Sequence, residues 1–434
     1  MNRTRIRGRD RQPDSPLADK PFRPLVNPLR PVEMLTPEQL EQIHTASLHI
    51  LENIGLDFLH EETLAIWQAA GAKVDWATQH AWLDRGLVLE AVAQAPAQFT
   101  LYARNPAHNL TIGGNHINFA TVGAAPYYSD QERGRRPGTL ADFQRMVKLA
   151  QLCGPIHIVE GLLVEPQDIP VVYRNLEKGI TLFTLSDKVI TTAAHGQEVA
   201  TDYLNLAALV FGGLETIEQK PVILSNVNAN SPLRFDERML SALQVYIRHG
   251  QPVIITPFIL AGAMSPITMA AAIAQQNAEA LAGIALTQLI NPGCPVVYGG
   301  FTTNVDMQSG SPAFGTPEGG MALLVGAQLA RYYGLPYRGS GGLNNAKLPD
   351  AQAAYETQMS LWPAVLAQAN VVFHSAGWLE AGLVCSLEKF ILDVEGLAMM
   401  HHFLAGMEIT PETLALDAIA EVGPGGIILA PPIP

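Results

Sequence analysis

The chain has 434 residues, 48% of them hydrophobic, and its formal net charge is −13. A chain of this length and composition can bury a large core, so the sequence predicts a globular protein. The acidic balance argues against nucleic acid or an anionic membrane as partner, because binding phosphate groups requires a basic surface. Small molecules and proteins remain as partners, and self-association into a homo-oligomer stays open.

Three features bear on the compartment of the protein. The cysteines Cys153, Cys294 and Cys385 are far apart and odd in number, which indicates reduced thiols and a cytoplasmic location. Residues 1–34 carry seven arginines among prolines and polar residues, which predicts a disordered basic arm and not a secretory signal. The longest apolar run, residues 269–290, is interrupted by glutamines and a glutamate, so we expect a buried helix there and no membrane span.

Residues 35–130 predict an α+β N-terminal region. A Thr-Pro-Glu helix start precedes apolar residues at helical spacing up to Gly55, and two further helical patterns cover residues 61–71 and 87–95. Short apolar runs at residues 99–103 and 110–119 are typical of strands. We expect this region to cover one end of the domain that follows.

Residues 131–426 alternate between helical patterns and short apolar runs, which predicts a TIM (β/α)₈ barrel. The runs lack polar alternation, as parallel strands buried on both faces require. Several of them open with a proline at the position where its missing N–H costs least: Pro221, Pro252, Pro295 and Pro336. Seven strands are assigned, and the eighth stays open between residues 387–392 and 118–123. Residues 427–434 form an atypical tail.

The chemistry of a barrel lies at the carboxyl ends of its strands. The residues expected there are Glu160, Asn226, Asn228, Phe258, Phe301, Asn344, His374 and Trp378. They contain no spacing typical of a metal site, and the chain has no fingerprint of a nucleotide loop or nucleophile elbow. Aromatic rings and neutral amides suit a cation with a hydrogen-bonding tail. This interpretation requires a cavity walled by rings and without an ionised acid, although single rings could also simply fill the barrel.

Several motifs together resemble the trimethylamine methyltransferase family. They are ANSPLRFDE at residues 229–237, SGSPAFGTPE at 309–318, SGGLNNAKLPDAQAAYE at 340–356, GWLEAGLVCSLEKFILD at 377–393 and GPGG at 423–426. The resemblance implies a TIM barrel that moves a methyl group from a methylated amine to the cobalt of a separate corrinoid protein. The cobalamin would then be carried by that partner, with no cofactor or metal bound to this chain directly.

The resemblance also implies a substrate branch and a set of roles. Founding archaeal members carry pyrrolysine at or beside the position of Leu343, so an ordinary leucine there implies the pyrrolysine-free branch, which demethylates quaternary amines such as glycine betaine. The expected roles divide the site into three parts. We expect Phe258, Phe301 and Trp378 around the ammonium group, His374 and Asn344 near the reacting head, and Asn226, Asn228 or Lys347 toward a substrate carboxylate.

Two alternatives stay open. A TIM-barrel lyase or aldolase could use Lys347 to form a Schiff base. The chain could also be an inactive relative that binds quaternary amines, because family members continue past GPGG with a histidine-containing segment and a further helix. This sequence instead runs into IILAPPIP.

Overall fold

A computed structural model describes residues 22–426 of the chain. Eight parallel strands form its central sheet. Their bounds are β1 His116–Phe119, β2 Ile158–Val159, β3 Val189–Thr192, β4 Leu224–Ala229, β5 Val253–Ala261, β6 Val296–Gly299, β7 Tyr337–Ser340 and β8 Val371–Phe373. Strand β8 pairs with β1, and a bridge between Ala120 and Ile158 joins β1 to β2, so the sheet closes on itself. The predicted TIM barrel is confirmed.

One helix follows each strand of the barrel. The helices are α1 Leu140–Leu152, α2 Val171–Leu185, α3 Gln197–Phe211, α4 Glu237–Arg248, α5 Met269–Ile290, α6 Pro317–Tyr332, α7 Ala351–Leu366 and α8 Leu387–Leu404. Side chains of Thr139, Asp236 and Asp350 accept hydrogen bonds from the first turns of α1, α4 and α7, which explains where these helices begin. Among residues 22–426, no helix is both long and apolar enough to cross a membrane.

The structure resolves the position of the eighth strand. Residues 387–392 begin α8, whereas residues 116–119 form β1 between β8 and β2. The barrel therefore takes its first strand from the range that the sequence assigned to the N-terminal region, 35–130.

The N-terminal region packs mainly against the side of the barrel. Its helices, Pro37–His49, Glu61–Ala69 and Arg85–Val92, lie on α5, together with the π-helical turn Ile50–Ile54. Three short strands of this region are Leu56–Phe58, Lys73–Asp75 and His80–Trp82. They form a sheet with the strand Arg234–Phe235, which lies in the loop between β4 and α4. Helix α5 is consequently buried nearly all round, which explains its alanine-rich sequence.

A hairpin closes the amino-terminal end of the barrel, as expected of part of this region. Its strands are Gln98–Leu101 and Leu110–Gly113. Their apolar side chains share one buried cluster with residues from six barrel strands: Ile158, Val189, Leu224, Ile254, Val297 and Val371. The barrel interior at this end is therefore packed, without a channel through the described part of the chain.

Residues 22–34 differ from the disordered arm predicted for residues 1–34. Strand Leu25–Val26 pairs antiparallel with β1, and the Asn27 side chain donates a hydrogen bond to the Val365 carbonyl at 2.7 Å. Leu25 is buried against the barrel, so apolar contact holds this segment in place despite its prolines. Residues 1–21 and the predicted tail, 427–434, lie outside the described residues.

A small sheet at the opposite end of the barrel joins the loops after β1 and β8. Its strands are Tyr127–Asp130, Gly134–Pro137, Trp378–Leu379 and Val384–Ser386. The remaining elements are the helices Leu214–Glu218, Pro411–Leu414 and Leu416–Val422, the 3₁₀ turns Pro106–His108 and Glu380–Gly382, and the strands Phe301–Val305 and Pro312–Ala313. Strand Phe301–Val305 continues from β6 alongside β5, which places Phe301 at the carboxyl end of the barrel.

Candidate active site at the carboxyl ends of the strands

A cavity of about 140 Å³ lies where the barrel strands end. Residues on or after every barrel strand except β5 supply its walls. The polar and aromatic members of the lining are Glu160, Thr192, His195, Asn226, Asn228, Phe301, Arg338, Phe373 and His374. A cavity of roughly 150 Å³ accommodates benzene, so this space suits a molecule of similarly small size.

Arg338 supplies a buried cation to the cavity. It lies on β7 and is 2% exposed, with its guanidinium carbon 4.6 Å from the ring centre of Phe373 and 5.2 Å from that of Phe301. Nη1 donates to the Gly300 carbonyl at 3.3 Å, whereas Nε has no hydrogen-bond partner among the described residues. Burial lowers the pKa of Arg338 to about 10, so the group stays charged at neutral pH. It is therefore a cation with an unused donor.

The Arg338 role was not predicted. In the sequence, Arg338 is only one residue of the predicted barrel strand that opens with Pro336. An arginine inside an otherwise apolar strand was the available signal, because a charged side chain is seldom buried unless it is paired or meets a ligand.

Glu160, at the end of β2, places a carboxyl group on the same cavity. It is 5% exposed, and its Oε2 accepts a hydrogen bond from the Thr191 hydroxyl at 2.6 Å. Burial raises the pKa of Glu160 to about 7, although the Thr191 hydrogen bond and the Arg338 and Lys178 charges act in the opposite direction. The cavity thus differs from the expected one, because it contains an acid that is ionised in part at neutral pH.

His374 follows β8 and contributes a neutral imidazole. Its backbone has a φ of 59°, a left-handed conformation uncommon outside glycine, and its Nδ1 lies 3.2 Å from the Ser340 hydroxyl. Burial, reinforced by the positive charge of Arg338, holds the pKa of His374 well below its usual range. The ring is therefore uncharged at neutral pH and does not repel a cation.

The structure brings the three predicted aromatic rings into one cluster. Phe301 lines the cavity, with the ring of Phe258 5.0 Å away from it and the ring of Phe314 stacked at 5.4 Å. The ring centre of Trp378 lies 4.5 Å from that of His374, and of these two residues His374 lines the cavity. Phe301 is thus exposed to the cavity, whereas Phe258 and Trp378 support the rings that line it.

The predicted amides divide into two groups. Asn226 and Asn228 line the cavity and are linked by hydrogen bonds. The Thr256 hydroxyl donates to Asn226 Oδ1, and Asn226 Nδ2 donates to Asn228 Oδ1, both at 2.7 Å. The amide N–H groups of Asn228 remain for a ligand, because an amide carries two donors beside its acceptor oxygen.

Asn344 and Lys347 lie away from the cavity lining. The Asn344 side chain donates to the Trp378 carbonyl at 2.7 Å, and the Trp378 indole donates to the Asn344 carbonyl at 3.0 Å. Asn344 therefore fixes the two rim loops to each other. Lys347 is exposed on the same loop. Leu343 is buried and lines, together with Phe301, a smaller cavity of about 30 Å³.

The described residues hold no cluster of three or more histidine, cysteine, aspartate or glutamate side chains arranged to bind a metal ion. The three cysteines are buried and none of them forms a disulfide bond.

Comparison with known proteins identifies the family. The family described as Trimethylamine methyltransferase (MTTB) matches residues 2–431. The chain belongs to this family. The predicted family and the predicted class of enzyme, a methyltransferase, are confirmed.

Relatives in the trimethylamine methyltransferase family cover most of the chain. Glycine betaine methyltransferase from Desulfitobacterium hafniense (strain Y51) is 42% identical over 396 residues, which span 91% of this chain and 82% of that protein. Trimethylamine methyltransferase MttB from Desulfitobacterium hafniense (strain DSM 10664 / DCB-2) is 32% identical over 90% of this chain and 78% of its own. The higher identity to the first relative agrees with the predicted betaine-like branch.

A solved structure shares the fold. The crystal structure of the Methanosarcina barkeri monomethylamine methyltransferase (MtmB) matches with a TM-score of 0.59 at 9% sequence identity, covering 87% of this chain and 76% of that one. At this identity the match concerns the barrel architecture alone.

Proposed function

We propose that this methyltransferase demethylates a quaternary amine that carries a carboxylate, and that the methyl group passes to the Co(I) of a separate corrinoid protein. The observation that supports this most strongly is the buried cation Arg338, which lines a small cavity together with aromatic rings. A carboxylate is the natural partner of such a guanidinium. The 42% identity to a protein named for glycine betaine points the same way.

The cavity offers separate environments for the two ends of such a substrate. The faces of Phe301 and the neutral ring of His374 attract a quaternary ammonium group, which cannot donate a hydrogen bond. Arg338 and the free amide of Asn228 offer donors for the carboxylate. Phe258, Trp378 and Asn344 act by holding these side chains in place.

The reaction requires little acid or base chemistry from the protein. When the methyl group leaves a quaternary nitrogen, the electron pair of the broken C–N bond stays on that nitrogen and the product is a neutral tertiary amine. The residues of this chain need to orient one methyl group toward the rim and to keep water away from the nitrogen. The acceptor must then reach the rim from outside, in a partner protein docked over it.

The structure favours methyl transfer over the lyase alternative. A Schiff base requires a lysine amine in the cavity, but Lys347 is exposed on a rim loop and does not line the space. The buried Lys178 is already paired with Glu165 at 2.8 Å. The three cysteines are buried and form no disulfide bond, which supports a cytoplasmic enzyme.

The proposal is tested by offering a panel of amines together with free cob(I)alamin. We expect glycine betaine, carnitine or proline betaine to lose one methyl group, with the demethylated amine detected by NMR. Trimethylamine should give no product, because it lacks the carboxylate that Arg338 is proposed to bind. Binding of the betaines without turnover, even with a methyl-accepting corrinoid protein present, would select the inactive relative. A borohydride-trapped adduct on Lys347 would select the lyase.

A further inference from the structure

The cavity contains two opposite charges on different walls. Glu160 lies at the end of β2 and Arg338 on β7, with β1 and β8 between these strands in the barrel. No hydrogen bond or ion pair joins Glu160 to Arg338 directly within residues 22–426. The proposed function uses Arg338 for the carboxylate of the substrate and leaves Glu160 without a role.

The position of the Glu160 carboxyl group is set by its neighbours. Thr191 holds Oε2, and Gly123 makes room for the group, because a Cβ atom at Gly123 would lie 2.8 Å from the Glu160 Cγ and 3.3 Å from Oε1. Oε1 receives no hydrogen bond from the described residues, and the carboxyl group lines the cavity. One oxygen is therefore anchored while the other is available to a ligand.

The charged groups around Glu160 leave its charge unpaired. Lys178 on α2 is fully buried but bound to Glu165, and Arg338 faces the cavity from β7. Of the two histidines on the cavity, burial lowers the pKa of His195 and keeps that of His374 far below neutrality. At neutral pH neither ring supplies a positive charge. The charges of Arg338 and Lys178 lower the pKa of Glu160, but neither cation forms a hydrogen bond with it in the described part of the chain, so the free oxygen stays open to a cationic ligand.

We propose that Glu160 is the anionic partner of the ammonium group of the substrate, and that the cation enters the cavity in exchange for the proton of this carboxyl group. The inference deepens the proposed function and rests on it for the identity of the ligand. A permanent cation beside Glu160 favours the ionised carboxylate, and the displaced proton passes to the solvent. The site thus selects zwitterions, with Arg338 and Glu160 recognising opposite ends.

The inference has a consequence for catalysis. The positive charge of the nitrogen disappears as the methyl group leaves, so an ionised Glu160 stabilises the bound substrate more than the transition state. Replacing Glu160 by glutamine should therefore raise KM about tenfold or more without lowering kcat to the same extent.

A pair of isosteric ligands tests the inference by binding alone. Glycine betaine and 3,3-dimethylbutanoate differ in one atom, the positively charged nitrogen of the first being a neutral carbon in the second. We expect the native protein to prefer betaine by about 10- to 100-fold in Kd and Glu160→Gln to lose that preference. Arg338→Met should weaken both ligands to a similar extent, because both carry the carboxylate.

Matched variants separate this effect from a general effect of neutralising a buried acid. Glu279 on α5 is equally buried, but its carboxylate binds Ser231, Gln275 and the Leu233 amide and does not line the cavity. Glu279→Gln should keep the betaine preference. Glu160→Asp should retain part of it, because the charge is preserved at a shorter reach. This variant also tests the inference should Glu160→Gln fail to fold.

Calorimetry in buffers of different ionisation enthalpy measures the exchanged proton. Because the pKa of Glu160 is about 7 in the free protein, betaine binding near pH 6 should release close to one proton, and binding near pH 8.5 almost none. Betaine affinity should rise with pH up to about 7 and then level off. In Glu160→Gln both effects should disappear.

The outcomes distinguish the inference from the proposed function. An unchanged betaine preference in Glu160→Gln, or the same proton release in that variant, overturns the role of Glu160 even when the enzyme demethylates betaine. If Glu160→Gln loses the betaine preference but neither the native protein nor any variant demethylates betaine, Glu160 remains the partner of the ammonium group and the proposed methyl transfer is rejected.

Discussion

Buried polar groups at the two ends of the barrel differ in their hydrogen-bond partners. At the amino-terminal end, Lys188 Nζ donates to the carbonyls of Ala150, Cys153 and Ile156, each at 2.8 Å. Both ring nitrogens of His157 are bonded as well, one to the Phe119 amide and the other to the Arg23 carbonyl. These partners belong to the chain itself, so this end contributes to stability.

At the carboxyl-terminal end the polar groups are only partly satisfied. Arg338 Nε has no partner among residues 22–426, Glu160 has one anchored oxygen, and His374 adopts a left-handed conformation. Buried polar groups without partners cost free energy, and strained residues gather at functional sites. The comparison teaches that Lys188 and His157 find their partners in the chain itself, whereas Arg338 and Glu160 each keep a hydrogen-bonding atom that no described residue satisfies.

The largest effect on this contrast is expected from Arg338→Met. Removing the partner of a buried carboxylate should cost about 4 kcal/mol of transition-state binding, or about a thousandfold in kcat/KM for a betaine. The free energy of unfolding should stay the same or increase, because an incompletely paired buried charge is replaced by an apolar chain. Steady-state kinetics and thermal unfolding measure the two effects. A large loss of stability would contradict the division between the two ends.

The opposite result is expected from Lys188→Met. This change leaves three carbonyl oxygens without their shared donor and should lower the free energy of unfolding by about 3 kcal/mol. Denaturant unfolding measures the loss. The fraction that remains folded should keep the native KM for a betaine, since Lys188 lies at the far end of the barrel. A raised KM would show that the two ends are coupled.

A smaller effect is expected from Trp378→Phe, which sharpens the comparison at the rim. The substitution keeps a ring behind His374 but removes the indole hydrogen bond to the Asn344 carbonyl, which contributes about 1 kcal/mol. We expect kcat/KM to fall by about fivefold, with the selectivity between betaine and trimethylamine unchanged. Loss of that selectivity would mean that Trp378 itself contacts the substrate.

The sequence predicted the barrel from its strands, and its one ambiguity has a physical cause. Strand β1 carries the buried Asn118, whose side chain donates to the carbonyls of Thr111 and Asn370. A polar residue of this kind conceals the strand, because one of its partners, Asn370, is distant in the sequence. The prolines of residues 22–34 likewise indicated disorder. The contacts of Leu25 with the barrel, which order this segment, are not visible in the sequence.

The candidate site was predicted in part. Phe301, His374, Asn226 and Asn228 line the cavity because each ends or follows a recognisable strand. The functions of Arg338 and Glu160 depend on which way their side chains point and on what neutralises them. A pattern of residue types carries neither kind of information. Asn344 and Lys347 share a loop with the site, but sequence proximity does not place them on the cavity.

In the part of the chain that the structure describes, the packed hairpin closes the amino-terminal end of the barrel, so ligands reach the cavity from the rim at the carboxyl ends of the strands. An acceptor protein that covers the rim also obstructs the path by which small molecules arrive and depart. We therefore expect a compulsory sequence of events in which the amine is loaded first and its demethylated remnant escapes last. Such a sequence would appear in initial-rate kinetics as inhibition by excess acceptor that competes with the amine.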